Sequence, residues 1–124
     1  MMQLVAIAAG GAVGALGRFW VSTAVYAWLG REFPWGTLSV NLLGSFVMGL
    51  LYVLFIERLA VGPEWRAAVL VGFLGAFTTF STFSIETVNL VEQGENLRAL
   101  LNVAGSAAFC VVAAWLGLYL GRQL

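Results

Sequence analysis

Gly72-Phe73-Leu74-Gly75-Ala76-Phe77-Thr78-Thr79-Phe80-Ser81-Thr82-Phe83-Ser84, followed closely by Glu86 and Thr87, is the stretch that decides the fold. It lies inside an apolar segment long enough to cross a bilayer, yet it crowds hydroxyls and aromatic rings together. Its two opening glycines, Gly72 and Gly75, weaken a helix and permit local unwinding. In hydrocarbon an unpaired polar group is costly, so a run this rich in Ser and Thr must face other helices, water or a ligand. The simplest outlet is for each hydroxyl to bond back to a carbonyl of its own helix. The coincidence of weak helix, rings and a carboxylate at one place points instead to a site.

The rest of the composition agrees with a membrane setting. The 124 residues are 61% hydrophobic and 10% charged, with a mean hydropathy of +0.95, well outside the range of soluble domains. At roughly 20 residues per crossing the chain holds at most about four or five spans, so residues 1–124 form one small transmembrane domain. Every base is arginine, every acid is glutamate, and they balance to zero, which gives no support to a nucleic-acid partner. With no His and a single cysteine, Cys110, an internal disulfide and a Cys/His zinc site are excluded. An enzyme is disfavoured too, since no nucleophile stands beside a base and no ligand cluster is visible. The first apolar run has no basic residue ahead of it and reads as a span, not a signal peptide.

Working outward, a first span covers residues 4–29, with Gly10, Gly14 and Gly17 as a small-residue stripe for close helix packing. Arg18 lies deep in it and must snorkel, pair with a glutamate or face a wet cavity. A Gly-Pro turn with two charges at residues 30–36 leads to a second span, 37–56, where Thr37, Asn41 and Ser45 share one helical face. Asn41 is either interhelical glue or part of a pore wall, and spacing alone favours glue. A charged loop at 57–66 starts the third span with Pro63 and Glu64. That span covers 65–91, broken near residues 75–79. The last span, 97–120, carries Asn102, Ser106, Cys110 and Ala114 on one line and Ala113, Gly117 and Gly121 on a second, small-residue face. The expected fold is therefore all-α, with four transmembrane helices and both termini on one side. Arg58, Arg66 and Arg122 fall on that side and Arg31 and Arg98 on the other. Since loop arginines set orientation, so even a division suits a chain that inserts both ways.

At Gly75, Thr78 and the run Thr79-Phe80-Ser81-Thr82-Phe83-Ser84-Ile85-Glu86, with Gly36-Thr37-Leu38, Asn41-Leu42-Leu43-Gly44 and the early glycines near Arg18, the sequence resembles the CrcB/Fluc family of fluoride channels. The resemblance covers essentially the whole chain. It implies a bacterial plasma-membrane subunit that pairs with an inverted copy as an antiparallel dual-topology homodimer, enclosing two fluoride pores and one structural sodium ion. It further implies that Asn41, Phe80 and Phe83 line the pore, in the company of Ser81, Thr82, Ser84, Asn102, Ser106 and Glu86. The backbone carbonyls of Gly75 and Thr78 would hold the sodium, and Arg18 would serve a vestibule or a structural charge. On the last helix the match is looser, because Cys110 and Ala114 lack the hydroxyl often found there. Glu86 is open to two roles, a gate for the anion or a partner for an arginine.

Physical chemistry is compatible with that assignment. Fluoride holds its water tightly, so a pore must replace hydration with neutral donors at close range. Hydroxyls, an amide N–H and the positive edges of aromatic rings can do so. Phe80 and Phe83, about 4.5 Å apart in helical rise, can offer successive stations; without the hydroxyls around them they would read as packing. A proton-coupled exporter of cationic drugs is the alternative, but such exporters carry a glutamate in the first span where this chain has Arg18. A non-transporting assembly factor would leave the polar set unused.

Overall fold

The computed structural model describes residues 1–124 and contains no strand. Helix α1, Met2–Leu29, runs unbroken until Gly30 takes the left-handed conformation (φ 84°), which turns the chain and lets its N–H reach the Tyr26 carbonyl. Helix α2, Trp35–Tyr52, closes through a widened turn at Val53–Glu57, where the Arg58 N–H bonds to the Val53 carbonyl five residues back. Helix α3 occupies residues 63–77. Pro63 presets its first turn, Glu64 follows there, and Ala67–Phe73 is again widened before Leu74–Phe77. After a three-residue break come α4, Ser81–Glu92, and α5, Asn96–Gln123.

The four apolar spans are thus Met2–Leu29, Trp35–Glu57, Pro63–Glu92 and Asn96–Gln123, with α3 and α4 forming the third. Each runs a few residues beyond its expected bounds, since a helix continues into the headgroup region past the hydrocarbon that hydropathy detects. The outside of the bundle is apolar: Leu4, Trp28, Val111 and Trp115 stand well exposed, the inverse of a soluble protein and the surface a bilayer covers. Apart from Arg18 and Glu86, which lie within spans, the charges gather at the two ends. Arg122 grips both oxygens of Glu57 (2.8 and 3.3 Å) at the end with the C-terminus. At the other, Arg98 lies 4.0 Å from Glu32 and 3.8 Å from Glu95.

Glycine holds the helices together. Lipid gives apolar helices no reason to associate, so close backbone approach must do it. A Cβ on Gly10 would strike the Ala68 carbonyl and one on Gly14 the Phe73 carbonyl, which brings α1 onto α3. A Cβ on Gly49 would strike the Ala114 carbonyl and one on Gly117 that of Phe46, which brings α2 onto α5. The small-residue stripes of the first and last spans are therefore both packing faces, and Ala113, Gly117 and Gly121 are buried.

Gly117→Val pushes α2 off α5 and should cost about 1–3 kcal/mol of stability, the usual range for overpacking. Gly105→Ala, whose added Cβ meets only the Phe109 ring at 3.9 Å, should leave it unchanged or slightly raised, since alanine is the better helix former. Thermal melts in detergent check both, and equal midpoints for the two variants would contradict the glycine contact.

Candidate functional site

The helix break lies at residues 78–80, at the far end of the expected interval and not at the glycines. Gly72 is buried against α1, where an added Cβ would lie 2.6 Å from the Ile7 carbonyl. Gly75 stays helical within Leu74–Phe77, with nothing within 4 Å of where its Cβ would be. The chain leaves the helix at Thr78, which is extended (φ −88°, ψ 159°), while its N–H and its hydroxyl both donate to the Leu74 carbonyl at 3.1 and 2.9 Å.

Thr79 explains why the break occurs there. Its N–H donates to Asn41 Oδ1 at 2.8 Å and its carbonyl accepts from Asn41 Nδ2 at 2.9 Å, so one amide side chain from α2 replaces both lost helical bonds. The Thr79 hydroxyl accepts the Thr82 N–H at 3.2 Å, one of the amides that the start of the next helix leaves without a helical partner. Helical bonding resumes with the Ser84 N–H on the Phe80 carbonyl at 2.9 Å. Gly44 permits the approach, because a Cβ there would collide with the Thr78 methyl.

This geometry opens a groove of about 580 Å³ between α2, the break and α5. Asn41, Ser45, Gly75, Thr78, Thr79, Phe80, Phe83, Ser106, Cys110 and Ala114 are among its walls, and no charged side chain lines it. The Phe80 and Phe83 rings sit 5.3 Å apart at 42°. Phe80 is 78% exposed, standing on the open side of the groove and not packed into the chain's own core. Along α5, Ser106, Cys110 and Ala114 follow the groove while Asn102 does not.

The remaining polar residues are distributed differently from a single pore wall. Ser84 and Thr87 bond back to the carbonyls of Phe80 and Phe83, both at 2.8 Å, the simple outlet available to membrane hydroxyls. Thr82 bonds to the Thr79 hydroxyl at 3.1 Å, and exposed Ser81 lies 3.4 Å from it. None of these three serines and threonines of α4's first turn lines the groove. Arg18 pairs with no glutamate: its Nε donates to the Ala76 carbonyl at 3.0 Å, an acceptor that the break deprives of its helical donor, the Phe80 N–H. Glu86 pairs with no arginine either. Its Oε2 accepts the Tyr26 hydroxyl at 2.6 Å, and its Oε1 is buried without any partner. Asn102 donates to Thr87 Oγ1 at 2.9 Å and accepts from Ser106 at 3.3 Å.

Tyr26 was not legible as part of the site. The available signal was weak: a buried tyrosine hydroxyl needs a partner, and Gly36 sits where any Cβ would run into the Tyr26 ring.

Comparison with known proteins places this geometry. Residues 5–118 match the family model described as CrcB-like protein, Camphor Resistance (CrcB). A protein of Magnetococcus marinus named fluoride-specific ion channel FluC is 62% identical over 123 residues, covering 99% of this chain and 100% of its own. Its namesake in Methylococcus capsulatus is 59% identical over 99% of this chain, which spans 54% of that longer relative. Another, from Hydrogenovibrio crunogenus, is 51% identical over 99% of this chain and 93% of its own. A family model matched over nearly all of the sequence, and relatives this similar from end to end, make the chain a member of the CrcB family.

Proposed function

We propose that the chain is the subunit of a fluoride-selective channel, which lets fluoride leave the cytoplasm passively and so lowers its toxicity. The name shared by its relatives supports this, and it describes a channel, not an enzyme. A multi-pass protein of this kind in a bacterium resides in the plasma membrane. The observation that carries the reading is the uncharged groove at membrane depth, where Asn41, Phe80, Phe83 and Ser106 meet. A cationic ring would bind a small anion too firmly to release it, whereas neutral donors replace its water and let it go. Asn41 uses one N–H on Thr79 and keeps the second free. The positive ring edges of Phe80 and Phe83 add further stations. Ser81, Thr82, Ser84 and Asn102 support this path by fixing the break and the α4–α5 contact, with Glu86 one turn beyond Phe83. An exporter of cationic drugs gains nothing here, since no carboxylate lines the groove.

The groove is open along one side, and a second copy is the natural lid. An inverted one fits best: the arginines are nearly balanced between the two ends, and the pair would form an antiparallel homodimer with two equivalent pores. The carbonyls of Gly75 and Thr78 fit a structural sodium ion. Both residues line the groove and neither carbonyl receives a backbone N–H, while those of Ala76 and Thr79 are taken by Arg18 and Asn41. Two oxygens from each copy would meet at the dimer axis. A hard cation there would neutralise carbonyl dipoles that hydrocarbon leaves unpaired.

Purified protein in liposomes should release fluoride down its gradient with accompanying charge movement and release chloride far more slowly; equal rates would end the fluoride reading. Phe80→Ile or Phe83→Ile should slow fluoride release about tenfold, the factor given by ~1.4 kcal/mol of lost anion stabilisation, with dimers intact on size-exclusion. Parent-like release from both variants would rule out the ring edges. Epitope tags on the C-terminus should be found on both faces of the membrane, and tags on one face alone would rule out the inverted pair.

A further inference from the structure

On another side of α5 a second furrow, of about 520 Å³, runs between that helix and the turn joining α1 to α2. Ser106 edges both furrow and groove, so α5 is the wall between them. Phe33 and Trp35 close the furrow on one side, Leu101 and Phe109 on the other. Gly105 leaves its floor open, since only the Phe109 ring comes within 4 Å of where a Cβ would stand. Arg98 and Glu32 stand at its mouth, at the end of the bundle away from the C-terminus. From Arg98 to Phe109 α5 rises about 16 Å, which is close to half of a ~30 Å hydrocarbon core. The furrow thus has a charged head and an apolar wall one leaflet deep, the profile of a single lipid.

An acyl chain gains little by leaving one apolar medium for another, so the head decides which lipid is kept. Arg98 is held at the mouth without being used up. Its Nη1 donates to the Glu32 carbonyl at 3.5 Å, a long bond, and the carboxylates of Glu32 and Glu95 stand 4.0 and 3.8 Å away, too far for hydrogen bonds. A phosphate suits the guanidinium fork left open in this way. Arg31, in the same turn, does not line the furrow; its guanidinium lies over the Tyr26 ring, 4.6 Å from the centroid. One guanidinium and two carboxylates leave the mouth net negative. An anionic head is therefore disfavoured, while a head that carries its own ammonium offers the two acids a cation. The Glu32 side chain is 89% exposed and free to turn toward it. A primary ammonium can donate hydrogen bonds to these carboxylates and a trimethylammonium cannot. The latter needs an aromatic cage, and the Phe33 and Trp35 rings, 4.8 Å apart, lean on each other and leave no gap for one.

We propose that this furrow holds one phospholipid with an ethanolamine head: its phosphate on Arg98, its ammonium at Glu32 and Glu95, and one acyl chain along α5 as far as Phe109. The site is separate from the groove and does not depend on which ion the groove carries.

Native mass spectrometry of the purified full chain, in whatever oligomer leaves the membrane, tests it with phosphatidylethanolamine, phosphatidylcholine and phosphatidylglycerol of matched chains. The parent should keep the ethanolamine lipid about fivefold over either competitor, the size of one charge contact at a membrane surface. Arg98→Gln should abolish that preference. Glu32→Gln, which removes the excess negative charge, should bring phosphatidylglycerol level with phosphatidylethanolamine. Gly105→Leu fills the furrow, leaves the charges in place and should lower retention of the ethanolamine lipid. Circular dichroism identical to the parent's shows that each variant is folded. Equal retention of the three lipids by the parent would mean a lipid coat without a site and overturn the proposal. So would choline lipid held as firmly as ethanolamine lipid, or a preference that survives in both Arg98→Gln and Gly105→Leu.

Discussion

Thr79 sits at membrane depth with neither its N–H nor its carbonyl in a helical bond, and the Asn41 side chain supplies both partners at 2.8 and 2.9 Å. Without that amide the two groups would lie unsatisfied in a medium that offers no water, at about 1–3 kcal/mol each. The break between α3 and α4 exists because this one side chain makes it tolerable. Two further bonds extend the repair: Arg18 takes the Ala76 carbonyl, and the Thr79 hydroxyl accepts the Thr82 N–H. Once the break is fixed, Phe80 turns outward and Phe83 stands beside it. Gly75 and Thr78 line the groove, and their carbonyls are left without a backbone N–H donor.

Asn41 can reach Thr79 only because α2 is held at a defined height and rotation. Glycine provides that. Gly49 and Gly117 bring the backbones of α2 and α5 together, Gly10 and Gly14 do the same for α1 and α3, and Gly44 admits the break itself. Contacts this close allow almost no sliding, since a shift of one residue would drive a side chain into a carbonyl. The same placement of α2 presents Thr37 to Tyr26, so the groove and the Glu86 cluster share one support.

Several parts of this were legible from residues alone. Hydropathy gives the spans to within a few residues, because burial in lipid demands continuous apolar length. The Asn41 amide announces a need for partners, and the small-residue stripes announce packing. The break was legible as an event and in its interval, residues 75–79, but not in the residue that causes it. Gly72 and Gly75 looked like the weak points, whereas Gly72 is needed for helix contact and the unwinding falls where Asn41 can pay back the lost bonds. For Arg18 and Glu86 a salt bridge was one of the outlets open, and each found an uncharged partner instead. Thr82 and Ser84, which the family resemblance assigned to a pore wall together with Ser81, bond through their hydroxyls to neighbours on or beside their own helix, as Thr87 does.

The sequence by itself determined that this is a four-span helical membrane protein, which stretch is its weak helix, and that neutral donors and rings gather there. Those properties are local: they depend on apolar length, on helical period and on residue type within a turn or two. Only the tertiary structure decided that Asn41 meets Thr79, 38 residues away, that Tyr26 meets Glu86 across 60, and that Arg18 meets Ala76 across 58. A hydrogen bond needs its atoms placed to within a few tenths of an ångström, and that placement comes from the relative rotation and height of helices. Close glycine contacts set both, and no pattern along one helix contains them.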